Sequence, residues 1–417
     1  MAVIAADDRT LISQTGIWYF PIAFLARLPF AMMVVGVLTL VVSMRGSVAL
    51  GGLTSAAVGI GTVFAGPLIG DAVDRLGQRR ILVPLGLLNG ALLVAFPFIV
   101  ASGSADWMLL LGALLVGLSA PQAAAMSRTR MITIISERLS PGRRPQTYSR
   151  SMSYESAADE TAFVIGPVVV GLLAALIAPW APIAGAAVLS FVFVTAFALH
   201  PTARVAAPGD RAEVAVAPAR ELLRAPLMVL VAATFAVGMF FGSTLTSLTA
   251  FMAARGQVDS AALVYGLMGI GSAILALAVA LLPTAFALRW RWMLFAGVLA
   301  AASLGFAMAG TSPIVSSVPM LIAMLCIMGV GIGPTLVTLF SLAGIRSPVG
   351  RSATAMTILG SALALAQSLA AAATGAIAEA FGPAAAMVFP FVAAVIIVVL
   401  GVVNARIERT HRVQQSS

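Results

Sequence analysis

Residues 71–80 read Asp-Ala-Val-Asp-Arg-Leu-Gly-Gln-Arg-Arg, a short polar segment between two long apolar ones. Before it, Val48-Ala49-Leu50 through Leu68-Ile69-Gly70 run without a charge. After it, Ile81-Leu82-Val83 through Ile99-Val100-Ala101 do the same. A helix rises ~1.5 Å per residue and the hydrocarbon core of a bilayer is ~30 Å thick, so each flank is long enough to cross it. The segment therefore reads as a tight turn at a membrane face, joining two spanning helices.

Working outward from this hairpin, apolar stretches of spanning length lie at 17–43, 48–70, 81–101, 107–136, 146–178, 182–199, 226–253, 261–287, 292–310, 317–344, 352–379 and 384–404. The fourth is interrupted by Arg128 and Arg130. The first is too long for a cleaved leader and is expected to be a retained helix. Composition agrees: 61% of the 417 residues are hydrophobic and 9% charged, against about 25% charged in soluble domains. Lipid must be the solvent for much of this surface, which excludes a soluble enzyme.

The basic residues carry further exclusions. All 24 of the Lys+Arg residues are arginine, so no Walker A lysine exists to reach the phosphates of ATP. Cys326 is the single cysteine, and His200 and His411 are the two histidines. No internal disulfide or cysteine metal cluster is possible, and no metal or other cofactor is expected. With the N-terminus placed inside, the outer loops keep only Arg45 and Arg255, the spans hold Arg27, Arg128 and Arg130, and every other arginine is inner. This asymmetry is the positive-inside signal. It predicts both termini in the cytoplasm and explains the formal charge of +9 without nucleic acid, while the all-arginine, alanine-rich composition points to a bacterial inner membrane.

The polar stretch 201–225, with Pro201, Pro208 and Pro218, divides an N-terminal six-helix half (1–200) from a C-terminal one (226–417). Gly59-Ile60-Gly61-Thr62 recurs as Gly269-Ile270-Gly271-Ser272, and Pro121 has a counterpart in Pro334 at nearly the same offset. Internal repeats of this kind are common in secondary transporters.

The 70–80 segment, with Gly70, Asp71, Asp74, Arg75, Gly77, Arg79 and Arg80, resembles the loop signature of the major facilitator superfamily between its second and third helices. The resemblance covers the whole chain in helix count, loop placement and repeat. It implies an all-α membrane fold of twelve helices in two pseudo-symmetric halves around a central cavity, and a monomer. On physical grounds Asp74 can face the positive end of a helix, and the resemblance suggests the helix that begins near Ser352, beside Arg351. Gly77 permits a tight reversal, and Arg79 and Arg80 suit an anionic lipid surface. The corresponding Leu288-Arg289-Trp290-Arg291-Trp292 has neither the Asp nor the Gly and reads as an interface anchor. Gly166-Pro167-Val168-Val169-Val170-Gly171 partly resembles the superfamily's antiporter motif, with Val170 in place of a glycine. Its other reading is a helix-packing bend.

Ionisable groups at membrane depth are costly, about 2.5–3.5 kcal/mol each. Span five carries Glu155, Asp159 and Glu160, with the last two near the midplane. The expected pairs are Arg128 with Glu155 and Arg27 with Asp159/Glu160, with Arg130 as a further candidate. Two carboxylates beside one arginine cannot both stay ionised cheaply, which makes Glu160 the first candidate for a proton carrier. The alternative is a static staple between helices. Met32, Met33, Gln122, Phe240, Phe241, Thr335, Phe340 and Gln367 are expected to line a cavity for a largely apolar or amphipathic small molecule. The leading expectation is proton-coupled export of drugs or metabolites. A nutrient importer or facilitated carrier, and a non-transporting scaffold or sensor, remain alternatives.

Overall fold

The structure, a computed structural model, describes residues 10–45, 48–205, 217–255, 261–283, 285–311 and 318–416. Among these the chain is helical throughout, without a strand. Twelve segments are long and apolar enough to cross a membrane: Tyr19–Arg45, Leu53–Leu76, Gln78–Ala101, Asp106–Arg138, Arg144–Ala174, Ala181–Leu199, Ala225–Met252, Val264–Leu281, Leu288–Gly310, Val318–Arg346, Ser352–Phe381 and Pro383–Glu408. They are spans one to twelve below, and they match the expected stretches to within several residues. The chain is thus an all-α, multi-pass membrane protein.

Three local features depart from the sequence reading, each for a backbone reason. The expected loop at 70–80 is mostly helix: the helix Val48–Leu76 continues past the apolar stretch, and the next helix starts at Gln78. Gly77 alone makes the joint, at φ 87°, a conformation that residues with a Cβ rarely adopt. The first span is broken between Tyr19–Leu25 and Leu28–Arg45. Pro29 has no N–H for the Leu25 carbonyl and its ring crowds that carbonyl. The Arg27 N–H turns to Phe24 O at 3.0 Å, and the Arg27 guanidinium donates to Ala23 O at 3.0 Å. The fourth span is also split, not at its arginines but between Asp106–Leu118 and Ala123–Arg138, around Pro121. Arg128 and Arg130 themselves lie in regular helix.

The chain divides into two compact units. Unit 1 comprises Met1–Ser151, Thr161–Ala217 and Pro348–Ser361, and unit 2 comprises Met152–Glu160, Pro218–Ser347 and Ala362–Ser417. Each half of the sequence thus lends a piece of one helix, from span five or span eleven, to the other unit.

Lipid tails are as apolar as leucine, so close backbone approach, rather than apolar burial, holds spanning helices together. In unit 1 a methyl group at Gly117 would overlap the Val58 carbonyl, and one at Gly61 would overlap Leu114 O. In unit 2 a methyl at Gly329 would sit 2.5 Å from Met268 O. Val58 and Met268 are 210 residues apart, the same offset as the two Gly-Ile-Gly tetrapeptides. The repeat seen in the sequence is therefore a repeated helix crossing, spans two and four in unit 1 and spans eight and ten in unit 2.

Candidate functional site

The last turns of span two carry the charged residues of the signature, and helicity fixes their faces. Asp71 and Arg75 are four apart, one turn, and form an ion pair at 2.8 Å. Asp74 points to the start of span eleven. Its Oδ1 accepts the Ala353 N–H at 3.0 Å, and its Oδ2 accepts the Thr354 N–H at 2.8 Å and the Thr354 hydroxyl at 2.6 Å. The first N–H groups of a helix have no partner within it and carry its positive end. One carboxylate from another helix satisfies two of them here.

Arg351, immediately before that helix, has the wrong sign for a helix N-terminus. Asp71 corrects it: Arg351 Nη1 donates to Asp71 Oδ1 at 2.6 Å. Arg351 Nε donates to Ala217 O, and the Ala217 N–H returns to Val349 O at 3.1 Å. The approach to span eleven is thereby tied both to span two and to the end of the 201–225 connection. Gly70 makes the approach possible, because a Cβ there would lie 2.8 Å from Thr354 Cα. Asp71, Asp74, Arg75, Arg351, Ala353 and Thr354 all belong to unit 1. The sequence reading anticipated Asp74 facing the start of span eleven. It did not anticipate the Thr354 hydroxyl or Ala217. Arg79 and Arg80 are exposed.

On the other side of Gly77 lies a second polar cluster. Gln78 is buried and donates through Nε2 to Met126 O at 3.0 Å. Its Oε1 accepts from Arg130 Nε at 3.0 Å and Nη2 at 2.8 Å. Arg130 Nη1 donates to Phe197 O at 3.0 Å and to the Thr202 hydroxyl at 3.1 Å. The guanidinium also lies 3.9 Å from the centre of the Phe197 ring, and Tyr19 meets the Ser127 hydroxyl at 2.8 Å. His200 Nδ1 pairs with the Thr202 hydroxyl at 2.9 Å. Partial burial, then the nearby Arg130 charge, hold the His200 pKa below its ordinary 6.5. The sequence reading passed over Gln78 and Thr202. The available signal was Gln78 itself, a polar residue starting a spanning helix.

The carboxylates of span five lie on the unbroken helix Arg144–Leu176. Glu155 is fully buried and Asp159 partly so, while the Glu160 side chain lies outside the described ones. Arg27 and Arg128 are each 4% exposed. None of Arg27, Arg128, Arg130, Glu155 and Asp159 is without a partner. Arg130 gives the bonds described above to neutral acceptors, a role the charge-network reading did not foresee.

The remaining expected residues are scattered in environment. Met32 and Met33 are embedded in the apolar core of unit 1 with Val37, Phe96 and Ile183, a placement that favours packing over cavity lining. Thr335 is buried, with its hydroxyl on Gly331 O at 2.7 Å. Phe240, fully buried, packs against Phe241 at 5.7 Å, and Phe340 is 5% exposed. The Gln367 carbonyl is pressed against Gly242. Gln122 sits at the break in span four with a buried Nε2 that makes no hydrogen bond, an unmet donor of the kind that costs about 1–3 kcal/mol. Gly166 packs on Ala31, where a Cβ would come within 2.8 Å of the Ala31 Cβ, whereas Gly171 has nothing within 4 Å. The Pro167 ring lies outside the described side chains. Among the described residues no group of three or more His, Cys, Asp or Glu is placed to hold a metal ion.

The fold and the signature define a membrane carrier, and comparison with known proteins gives the class its name. The family model of the Major Facilitator Superfamily matches residues 19–370, and the chain belongs to that superfamily. It is similar to the crystal structure of a bacterial homologue of the iron transporter ferroportin in an outward-facing state, with TM-score 0.76, 15% identity and coverage of 93% of this chain and 98% of that one. It is also similar to the human organic anion transporter MFSD10 (TETRAN), with TM-score 0.70, 16% identity and coverage of 95% and 100%. At these identities the likeness establishes the fold. No curated protein matches the chain. The protein is a transporter of the major facilitator type.

Proposed function

We propose that this transporter exports amphipathic small molecules in exchange for protons, by alternating access in a bacterial inner membrane. The observation that carries the alternating-access part is the Asp74 carboxylate on the N-terminus of span eleven, at 2.8 and 3.0 Å. A cap supplied by another helix can be broken and remade without unfolding either helix. It stabilises one arrangement by about 1–2 kcal/mol, enough to bias a two-state equilibrium by roughly tenfold. In that role Asp74, Asp71 and Arg351 latch one state and release for the other.

Support for proton coupling comes from Glu155, Asp159 and Glu160 on one spanning helix, with Glu155 fully buried. A carboxylate at depth either holds a permanent partner or changes protonation as access alternates. The Arg27–Asp159/Glu160 and Arg128–Glu155 pairings belong to this proposal. Gln122, with its unmet donor at the break of span four, is the preferred polar contact for a substrate.

A second reading, a facilitated carrier or importer, is favoured by Gly171, which packs against nothing within 4 Å. The antiporter-like motif thus reduces to one packing glycine at Gly166.

The test is uptake of amphipathic dyes into reconstituted vesicles under an imposed pH gradient, wild type beside Glu160→Gln and Asp159→Asn. Gradient-driven uptake abolished by either substitution is the expected result. Uptake that ignores the gradient in all three proteins would assign a carrier without proton coupling. Absence of flux for every compound in the panel would sink amphipathic export.

A further inference from the structure

The segment of unit 2 that corresponds to the Asp74 region, Leu288-Arg289-Trp290-Arg291-Trp292, is not used by the latch. Its two Arg-Trp pairs divide in function. Arg291 is buried and turned back on the chain, with Nε on Phe286 O and Nη2 on Pro283 O, both at 2.8 Å. Trp292 is fully buried and donates from Nε1 to Ile397 O at 3.2 Å, fastening span nine to span twelve. Arg289 and Trp290 have no such task.

They open onto a groove of about 180 Å³ lined by Arg289, Trp290, Met293, Val402, Ala405 and Arg406, far above the ~10–15 Å³ that admits one water. The lining follows from helix geometry. Arg289 and Met293 are one turn apart on span nine, and Val402, Ala405 and Arg406 share a face of span twelve. Span nine begins at Leu288 and span twelve ends at Glu408, so the groove lies where both helices leave the apolar core, at one membrane face. Glu408, two residues beyond Arg406, is held by Arg346 at 2.7 Å. The Arg289 Nε is shielded from water yet makes no hydrogen bond.

We propose that this groove binds the phosphate of an anionic membrane phospholipid. The Arg289 guanidinium, whose Nε–H has no partner in the protein, lines the groove, and a guanidinium fork matches phosphate oxygens. Arg406 adds a second cation across the groove. Trp290, 52% exposed, offers the amphipathic ring that settles at head-group level. Met293, Val402 and Ala405 form an apolar floor for the glycerol and first acyl carbons. A soluble anion would use the arginines but gain nothing from that floor or from the position at the membrane face. Basic pockets between spanning helices bind lipid head groups on this principle. The inference is independent of the direction of transport.

The experiment uses full-length protein in detergent, titrated with phosphatidylglycerol or phosphatidylcholine, with bound lipid counted by native mass spectrometry. Phosphatidylglycerol is expected to be retained in preference to phosphatidylcholine. Arg289→Gln is expected to weaken that binding about tenfold, the loss of one charge-assisted hydrogen bond. Val402→Phe fills the groove without changing charge and gives a comparable loss should Arg289→Gln prove unstable. Arg224→Gln, at an exposed arginine elsewhere in unit 2, retains wild-type binding. Equal retention of both lipids, unchanged binding in Arg289→Gln and Val402→Phe, or an equal loss in Arg224→Gln would overturn the site. Displacement of phosphatidylglycerol by millimolar inorganic phosphate would reassign it to a soluble anion and overturn the lipid.

Discussion

Gly77 separates two polar clusters built on opposite principles. Toward span two, the Asp71 side chain keeps 35% of its surface exposed, and its bonds and those of Asp74 run to the mouth of span eleven. Toward span three, Arg130 is fully buried and gives four of its five N–H groups to Gln78, Phe197 O and Thr202. Water reaches Asp71 and can replace its partners there, so release of the proposed latch costs less than breaking the second cluster. Nothing can replace those of the second without unfolding. The difference teaches which part of this end of unit 1 is suited to release and which to anchoring. A latch works only against a rigid frame, and Gln78, adjacent to Gly77, connects the two.

The sharpest way to break this distinction is Arg130→Met. It leaves Gln78 Oε1 and the Phe197 carbonyl without their donor and takes from the Thr202 hydroxyl the partner it shares with His200, and each unmet buried group costs about 1–3 kcal/mol. The expected outcome is a loss of about 3 kcal/mol or more, read as a collapse of detergent thermostability and of folded yield. Near-normal stability would mean that the cluster is not an anchor. Asp74→Asn comes next. An amide can still accept from one N–H but presents an NH₂ to the other and removes the charge from the helix end. The expected stability loss is about 1–2 kcal/mol, with a transport defect larger than that loss explains. A transport rate that merely follows stability would reduce the latch to a structural cap.

A smaller effect sharpens the same contrast. In a double-mutant cycle of Asp71→Asn and Arg351→Gln, the pair, 35% exposed at Asp71 but 6% at Arg351, should show a coupling of about 1 kcal/mol. Its value should fall as salt is raised, because exposed charges are screened. A salt-independent coupling would contradict the solvated character assigned to the latch.

The twelve spans were legible because length and apolarity in lipid admit few other structures. Asp74 beside a glycine joint was legible as a carboxylate able to cap a helix, but the helix it caps, span eleven, came from the family resemblance and not from the residues themselves. The breaks in spans one and four had a mark too, Pro29 and Pro121, but Arg128 and Arg130 drew attention away from it. The Arg130 cluster left almost none. Its acceptors are a backbone carbonyl and two neutral side chains, brought from positions 78, 197 and 202 only by helix packing. Met32 and Met33 carried no deciding mark: a methionine pair reads the same in sequence whether it faces a ligand or lies, as in this structure, in an apolar core.

The smallest expected effect tests whether the Arg130 charge reaches the neighbouring titratable group. His200 is bonded to the same Thr202 hydroxyl that Arg130 uses. Its folded pKa is depressed, by burial first and by the Arg130 charge second, so the folded state holds the neutral imidazole. The unfolded chain then binds the extra proton in the window below about 6.5, and stability rises with pH across that window. The contribution is fully present above the unfolded pKa and is lost as pH falls through the folded one. Thermostability of the wild type should therefore drop more steeply than that of His200→Gln as pH is lowered from 7 to 5, with the two curves parallel above pH 7. Parallel curves throughout would show that His200 titrates alike in both states and that the Arg130 charge is screened from it. A steeper fall in the variant would reverse the sign and place a stabilising acid next to the imidazole.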